Sequence, residues 1–338
     1  MPGYSMPDNR KYAIGVDLGG TNIRAALVDH QGRIRHDATC RTDAPRGPEP
    51  ILADMAALVR QVMATGRATP DEVIGLGVGS PGPLSFSRGV VIKAANLPGW
   101  TNIPLRDEMC RRVGLRTIVN NDANLAAYGE YWAGAGKGVE NMVMLTLGTG
   151  IGGGVVINGE LLLGHFENAA ELGHTIIVPN GRLCTCGQRG CLEAYASAGN
   201  VAKRVTEAIR NGEPSLLAGL VEKGTYFGCR KVEEAAKEGD ALCSQIWDEA
   251  CYYLAVACVN IQHLFNPARI VMAGGMSKAG PFLIDLVQKH FELLTWNLYD
   301  DFPEIRVAIL GDDAGVIGAA GWVWKAHDEN RWESQSTC

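Results

Sequence analysis

The sequence predicts a two-domain α/β protein built from two related halves. The 338 residues, 46% of them hydrophobic, are enough to bury a sizeable core and favour two domains or one large one. Apolar runs suited to strands alternate with stretches of helical periodicity along the chain. One pattern, a strand, a Gly/Thr turn and a second strand, occurs twice about 130 residues apart, a plausible domain spacing.

The first copy runs from YAIGVD at residues 12–17 through the turn LGGTN into IRAALVD, followed by the polar turn HQG. Ile51–Met63 has helical periodicity, Val73–Val78 is a strand running into GSPGPL, and Ile118–Asn120 is a short strand before a helix from Ala123 to Trp132. The second copy runs from MVMLTL at 142–147 through GTGIGG into GVVI, and its turn Asn158-Gly159 is a strong hairpin signal. Beyond it come a long buried helix over Ala241–Phe265, a strand over Arg269–Met272 and a helix over Phe282–Leu294. A last helix over Gly315–Trp324 follows Asp312-Asp313, which suit N-terminal caps. No Pro- or Ser-rich linker separates the halves, so the domain crossing is placed at Asn121-Asp122.

Composition narrows the function classes. A formal net charge of −6 argues against broad attraction to nucleic acid. MPGYSMPDNRKY lacks an apolar signal core, and AGVIGAAGWVWKA is too short to span a bilayer, so a cytoplasmic protein is expected. Ten cysteines spread through a long chain without an export signal are expected to be mostly reduced, with Cys243, Cys251 and Cys258 as small buried residues of a helix.

Several motifs carry chemistry. Closely spaced Gly and Thr after a strand expose backbone N–H groups that suit phosphate oxygens, although a tight hairpin also requires glycine. Gly148, Gly150 and Gly153 satisfy G-x-G-x-x-G, but GVVING continues as a strand where the dinucleotide fingerprint needs a helix, and no G-x-x-x-x-G-K-[ST] is present. In the stretch from Glu171 to Glu193, His174, Cys184, Cys186 and Cys191 supply one imidazole and three thiolates, the ligand set of a closed tetrahedral zinc site. Gly187 and Gly190 would let the backbone fold tightly around the ion. A site with four protein ligands is structural, with no open position to activate water. Asp122 follows an apolar strand and precedes a helix, which places it where α/β sheets bind ligands. It suits a base that accepts a hydroxyl proton in phosphoryl transfer, or alternatively a helix N-cap.

DLGGTNIR at 17–24, LGTGIGGG at 147–154, ELGH at 171–174 and CTCGQRGCLE at 184–193 together resemble the ROK family of sugar kinases and repressors, most closely its glucokinase branch. The resemblance covers about residues 11–326. It implies an actin-like, hexokinase-like ATPase fold with a ribonuclease H-like duplicated core, two α/β domains around a cleft where sugar and ATP meet. The expected small domain spans 11–121 plus a returning C-terminal helix at about 313–327. The large domain spans 122–312 with the zinc loop and a dimerisation surface, and residues 1–10 form a flexible tail.

The resemblance also implies residue roles. Asp122 is the catalytic base, and Asn96, Asn121, Asp122, Glu171, His174 and Glu193 contact the sugar. An imidazole bound to zinc through one nitrogen can offer the other to a sugar hydroxyl, and a carboxylate such as Glu171 or Glu193 accepts hydroxyl hydrogen bonds. Either glutamate alone would pass as a solvated surface charge. Gly20 and Thr21 of the first turn, with Thr149 and Gly150 of the second, take the ATP phosphates. Asp17 orients Mg2+, and Gly274 and Gly275 admit the adenosine part.

The implied activity is ATP-dependent phosphorylation of a hexose, glucose first, at its 6-hydroxyl, by a homodimer or homotetramer that binds neither nucleic acid nor membrane. Relatives sharing these motifs act on N-acetylmannosamine, N-acetylglucosamine, mannose, allose or fructose, and pocket differences of about 1–3 kcal/mol separate such substrates. A ROK sugar-responsive regulator would need a helix-turn-helix before DLGGT, where only about ten residues precede the first strand. A zinc-stabilised sugar sensor would not need the phosphate turns or Asp122. The segment 211–240 has no assigned role.

Overall fold

The computed structural model describes residues 10–94, 96–296 and 301–332, so residues 1–9 of the expected tail lie outside the described residues. The chain forms two compact units. One takes the described residues up to Lys137, Leu163–Ala169 and those from Asp312 onward; the other takes Gly138–Leu162 and Ala170–Gly311.

The first unit opens with an antiparallel meander of β1 (Tyr12–Leu18), β2 (Asn22–Asp29) and β3 (Ile34–Arg41). In β3, half-buried and exposed residues alternate strictly, the pattern of an edge strand with one wet face. Helix α1 (Pro48–Gly66) begins with proline in its first turn and ends at Arg67 in the left-handed region. Strand β4 (Val73–Ser80) is buried throughout, as a central parallel strand must be. A small antiparallel sheet of β5 (Leu84–Ser85), β6 (Val90–Lys93) and β7 (Thr101–Ile103) follows. Then come α2 (Leu105–Val113), β8 (Thr117–Asn121) and α3 (Asp122–Ala133). The main sheet has the order β3-β2-β1-β4-β8, with β4 parallel to β1 and β8 parallel to β4.

The second unit repeats this plan. Strands β9 (Met142–Leu147), β10 (Ile151–Ile157) and β11 (Glu160–Leu161) form its meander, and Asn158 and Gly159 both take positive φ in the final turn. After the cysteine-rich loop come α4 (Glu193–Ala196), α5 (Ala198–Arg210), α6 (Ala218–Glu222), α7 (Cys229–Lys237) and α8 (Ala241–Phe265). Strand β12 (Arg269–Ala273), α9 (Pro281–Leu294) and β13 (Glu304–Val307) complete it. Its sheet order, β11-β10-β9-β12-β13, has the same two antiparallel and two parallel pairings as the first. The expected duplicated α/β core is therefore present. Cys243, Cys251 and Cys258 are free thiols in the core that α8 builds, as the helical period requires.

The last helix, α10 (Ala314–Asp328), belongs to the first unit, where it packs on α3, β1 and β4. The same unit includes α3, whereas the sequence reading ended the small domain at residue 121. The expectation that Asp312 and Asp313 cap α10 is not met: the Asp313 side chain makes no cap bond and is taken by Arg24 instead. The sequence reading did not anticipate β3, the β5–β7 sheet, α2 or the three helices α5–α7. Among the described residues no helix is long and apolar enough to cross a membrane.

Close approach of α10 to its neighbours depends on residues without side chains. A Cβ at Gly318 would collide with the Leu125 carbonyl of α3 and lie 2.8 Å from the Gly129 nitrogen. Gly318→Val is expected to destabilise the protein by about 3 kcal/mol or more. Gly219→Ala, in α6 with open space around it, should be neutral or stabilising by up to about 1 kcal/mol. Urea denaturation of the two variants checks the contrast.

Candidate active site

In the first unit, the carboxyl ends of three parallel strands bring the expected residues together. Asp17 on β1 pairs with Gly79 on β4, and Gly79 and Ser80 pair with Asn120 and Asn121 on β8. Asn121 occupies the N-cap of α3: its Oδ1 accepts the Ala123 N–H at 3.0 Å and the Asn124 N–H at 3.2 Å. Asp122 is the first residue of the helix, so the alternative role of N-cap falls to its neighbour. The Asp122 carboxylate still accepts the Ala123 N–H at 2.8 Å. Because Asn121 Oδ1 is engaged, its Nδ2 is the group left for a ligand.

The charges of this end are costly. Asp17 is pushed up to about 6, first by burial and then by the negative charge of Asp122, against the pull of Arg24. Burial also raises Asp122, while backbone hydrogen bonds oppose the shift. Arg24, directly across the hairpin from Asp17, donates to Asp37 at 2.9 Å and to Asp313. The sequence reading passed over Arg24 because its partners lie 13 and 289 residues away. In the first turn, a Cβ on Gly20 would lie 2.9 Å from Asn96 Nδ2, so the bare glycine lets Asn96 and the Gly20-Thr21 turn approach. Thr21 and Asn96 are both exposed.

In the second unit the Gly/Thr turn between β9 and β10 meets two other elements. Gly148 N–H donates to the Gly150 carbonyl at 2.9 Å, which closes the turn and leaves Thr149 exposed. Gly274, at φ 88, packs against the Leu147 backbone that enters this turn. A cavity of about 480 Å³ opens beside Gly275, with apolar walls from Ala198, Cys229, Trp247 and Met276 and the exposed cations Arg230 and Lys278. Cys229 and Arg230 come from the segment 211–240, to which the sequence reading assigned no role.

Glu193 ties that turn to the cysteine-rich loop. Its Oε2 accepts the Ile151 N–H at 2.9 Å, and its Oε1 accepts Thr185 Oγ1–H at 3.1 Å and lies 3.6 Å from Cys184 Sγ. Both oxygens thus have protein partners, two for Oε1 and one for Oε2. Glu171, by contrast, is exposed, and its carboxylate has no hydrogen-bond partner among the described residues. It precedes a short 3-10 turn that carries His174.

The loop brings all four expected ligand residues together. The ligand atoms of His174, Cys184, Cys186 and Cys191 lie within 4.8 Å of one another, a group that could hold a metal ion. Nδ1 of His174 is 3.7 Å from Cys184 Sγ, and Cys186 Sγ is 3.7 Å from Cys191 Sγ. The loop closes because Gly187 and Gly190 adopt φ of 92 and 87, out of reach of most side chains. Burial raises the Cys184 thiol and pushes Cys191 up to about 12, while the Gln188 backbone lowers Cys186 to about 7. Cys184 and Cys191 are thus held as thiols, and a metal ion bound here would have to displace their protons.

Residues 13–326 match a family model described as ROK family. The chain is 38% identical over 328 residues to a glucokinase from Halalkalibacterium halodurans, covering 97% of this chain and 99% of that one. It is 39% identical over 307 residues to a glucokinase from Thermotoga maritima, covering 91% of this chain and 95% of the other. A solved structure of a ROK family glucokinase from Streptomyces griseus, in complex with glucose and AMPPNP, aligns with a TM-score of 0.75 at 34% identity. It covers 93% of this chain and 99% of that one.

The raised carboxyl of Asp17 makes stability depend on pH. Its folded pKa, about 6, lies above the ordinary 3.8, so the protonated form is the one the fold favours. That contribution is complete below about 3.8 and is lost as pH rises through about 6. Asp17→Asn is therefore expected to raise the Tm of the ligand-free protein at pH 8, by no more than about 3 kcal/mol in stability, because solvent screens a group not wholly buried. The gain should shrink to nothing near pH 4, and calorimetry across this range checks it.

Proposed function

The chain belongs to the ROK family, and on that premise we propose that it is an ATP-dependent glucokinase that phosphorylates glucose at the 6-hydroxyl. Two glucokinases of 38% and 39% identity over nearly their whole lengths support the activity. The observation that carries the mechanism is the division of labour at the end of β8: Asn121 caps the helix, and Asp122 stands beside it as a raised carboxylate near Asp17.

Phosphoryl transfer asks a protein mainly for alignment and charge stabilisation. In the proposed reaction Asp122 accepts the proton of the 6-hydroxyl, the hydroxyl oxygen bonds to the γ-phosphorus, and the bond to the β–γ bridging oxygen breaks to release ADP. Burial raises the Asp122 pKa, which makes it a stronger base than an exposed aspartate. Backbone N–H groups of Gly20, Thr21, Thr149 and Gly150 are the proposed phosphate donors, and Gly274 with the cavity beside Gly275 is the proposed seat of the adenosine part. Magnesium, when bound, neutralises phosphate charge, and Asp17 is the residue proposed to orient it.

For the sugar, Asn96, Asn121, Glu171, His174 and Glu193 are the proposed contacts. His174, Cys184, Cys186 and Cys191 are the proposed zinc ligands. Their donor atoms, within 4.8 Å of one another and 3.7 Å apart for Cys186–Cys191 and Cys184–His174, would hold such an ion as a structural tie with no open position. Since Nδ1 faces the thiols, Nε2 is the nitrogen offered to a hydroxyl. Glu171 brings free acceptors, whereas Glu193 contributes only what its bonds to Ile151 and Thr185 leave.

A coupled ADP-release assay over a panel of hexoses and N-acetylhexosamines tests the reading, with glucose expected to give the highest kcat/KM. Asp122→Asn should lower kcat by about a hundredfold or more with little change in glucose KM. Near-normal turnover by that variant would remove Asp122 from the role of base.

A further inference from the structure

The route by which the chain reaches Glu171 is held by two side chains with no role so far. After β11 the chain makes a loop, Leu163–Ala169, which belongs to the first unit although the residues on either side belong to the second. The Ala169 N–H donates to the Leu163 carbonyl at 3.0 Å and closes the loop on itself. Glu167 and Ala170 both adopt positive φ, 61 and 67, where a side chain costs roughly 1–2 kcal/mol, so surrounding contacts must hold them there.

Within the loop, Asn168 Nδ2 donates to the Phe166 carbonyl at 2.6 Å and the Glu167 N–H to the Gly164 carbonyl at 3.3 Å; the other side-chain bonds of Glu167 and Asn168 fall on one strand and the turn that follows it. Asn168 Oδ1 accepts the Leu84 N–H at 3.2 Å, and its Nδ2 donates to the Leu84 carbonyl at 3.1 Å. One carboxamide thereby pairs with both backbone polar groups of Leu84, as a residue of a neighbouring strand would, at the open edge of β5. The Glu167 carboxylate accepts Ser85 Oγ–H at 2.9 Å and the Ser87 N–H at 3.0 Å. Strand β5 pairs on its other side with β6, and the β6–β7 connection carries Asn96. Upstream of β5, Gly82 lies close enough to Asn121 that a Cβ there would be 3.5 Å from Asn121 Nδ2.

We propose that Glu167 and Asn168 are positioning residues for the sugar: they fasten the loop that delivers Glu171 to the small sheet that carries Asn96. The inference rests on the proposed sugar contacts of Asn96 and Glu171. The clamp fixes the strained backbone one residue before Glu171, and so the direction in which that carboxylate, unpartnered among the described residues, leaves the loop. It is preorganisation, which affects sugar affinity and leaves the transferred group and the nucleotide alone.

Steady-state kinetics with glucose and ATP varied in turn, on Glu167→Ala, Asn168→Ala and Glu171→Gln in the full chain, test this. Each alanine variant is expected to raise glucose KM about tenfold, the worth of one or two hydrogen bonds, with ATP KM and kcat within about threefold of the parent. Glu167→Gln keeps one acceptor oxygen and should recover part of the loss, whereas Asn168→Asp lacks the donor to Leu84 and should not. These two variants serve in place of alanine if either alanine form fails to fold. Unchanged glucose KM in folded clamp variants, with a raised KM in Glu171→Gln, overturns the clamp alone. Wild-type glucose KM in Glu171→Gln overturns the sugar role of Glu171 and the clamp with it. An equal rise in glucose and ATP KM marks a general structural effect and also overturns the proposal.

Discussion

The hydrogen bond from the Ile151 N–H to Glu193 is the constraint on which the site of the second unit depends. Ile151 begins the strand that leaves the Gly/Thr turn, and Glu193 begins the helix that leaves the cysteine-rich loop. A Cβ on Gly150 would strike the same carboxylate, so the turn must be bare where the glutamate enters. One charge-assisted bond thus fixes the distance between the proposed phosphate donors and the group of one imidazole and three thiols. Leu192, next in the chain, is fully buried, which leaves Glu193 little freedom to move.

The duplicated sheet explains why such bonds can be made. In each unit the meander and the two parallel strands direct the residues proposed to act to the same end: Asp17 and Asn121-Asp122 in the first, the Gly/Thr turn and Gly274-Gly275 in the second. Turns there can be short and rich in glycine because the sheet behind them is closely packed. The cost appears as electrostatics. Two carboxyls near each other at the first sheet, both with raised pKa, oppose the fold at neutral pH, and they are the groups proposed as base and as cation partner.

Much of this was legible in the sequence where the signal is local. The hairpins, the long helix Ala241–Phe265 and the group of four candidate metal ligands all follow from periodicity or spacing within a few tens of residues. Asp122 was legible as a residue at a strand end but not as distinct from a helix cap, because only the coordinates assign the cap to Asn121. Other features were hidden by distance along the chain. Arg24 takes Asp313 from the other end of the sequence, and Glu167 and Asn168 reach strand β5 more than 80 residues earlier. The β5–β7 sheet escaped notice because its strands are two to four residues long, too short for a period to show. The double engagement of Glu193 was likewise invisible, since a carboxylate in a motif carries no sign of which of its lone pairs the protein has already used.

In the proposed enzyme a metal-held loop aims His174 and its neighbours at the sugar while the chemistry belongs to Asp122. Calorimetric titration of glucose and of ADP into folded protein, before and after zinc removal verified by elemental analysis, tests it most directly. The account predicts a glucose affinity at least about tenfold weaker without zinc and an ADP affinity within about twofold of the original. Unchanged glucose affinity in folded, zinc-free protein would contradict it.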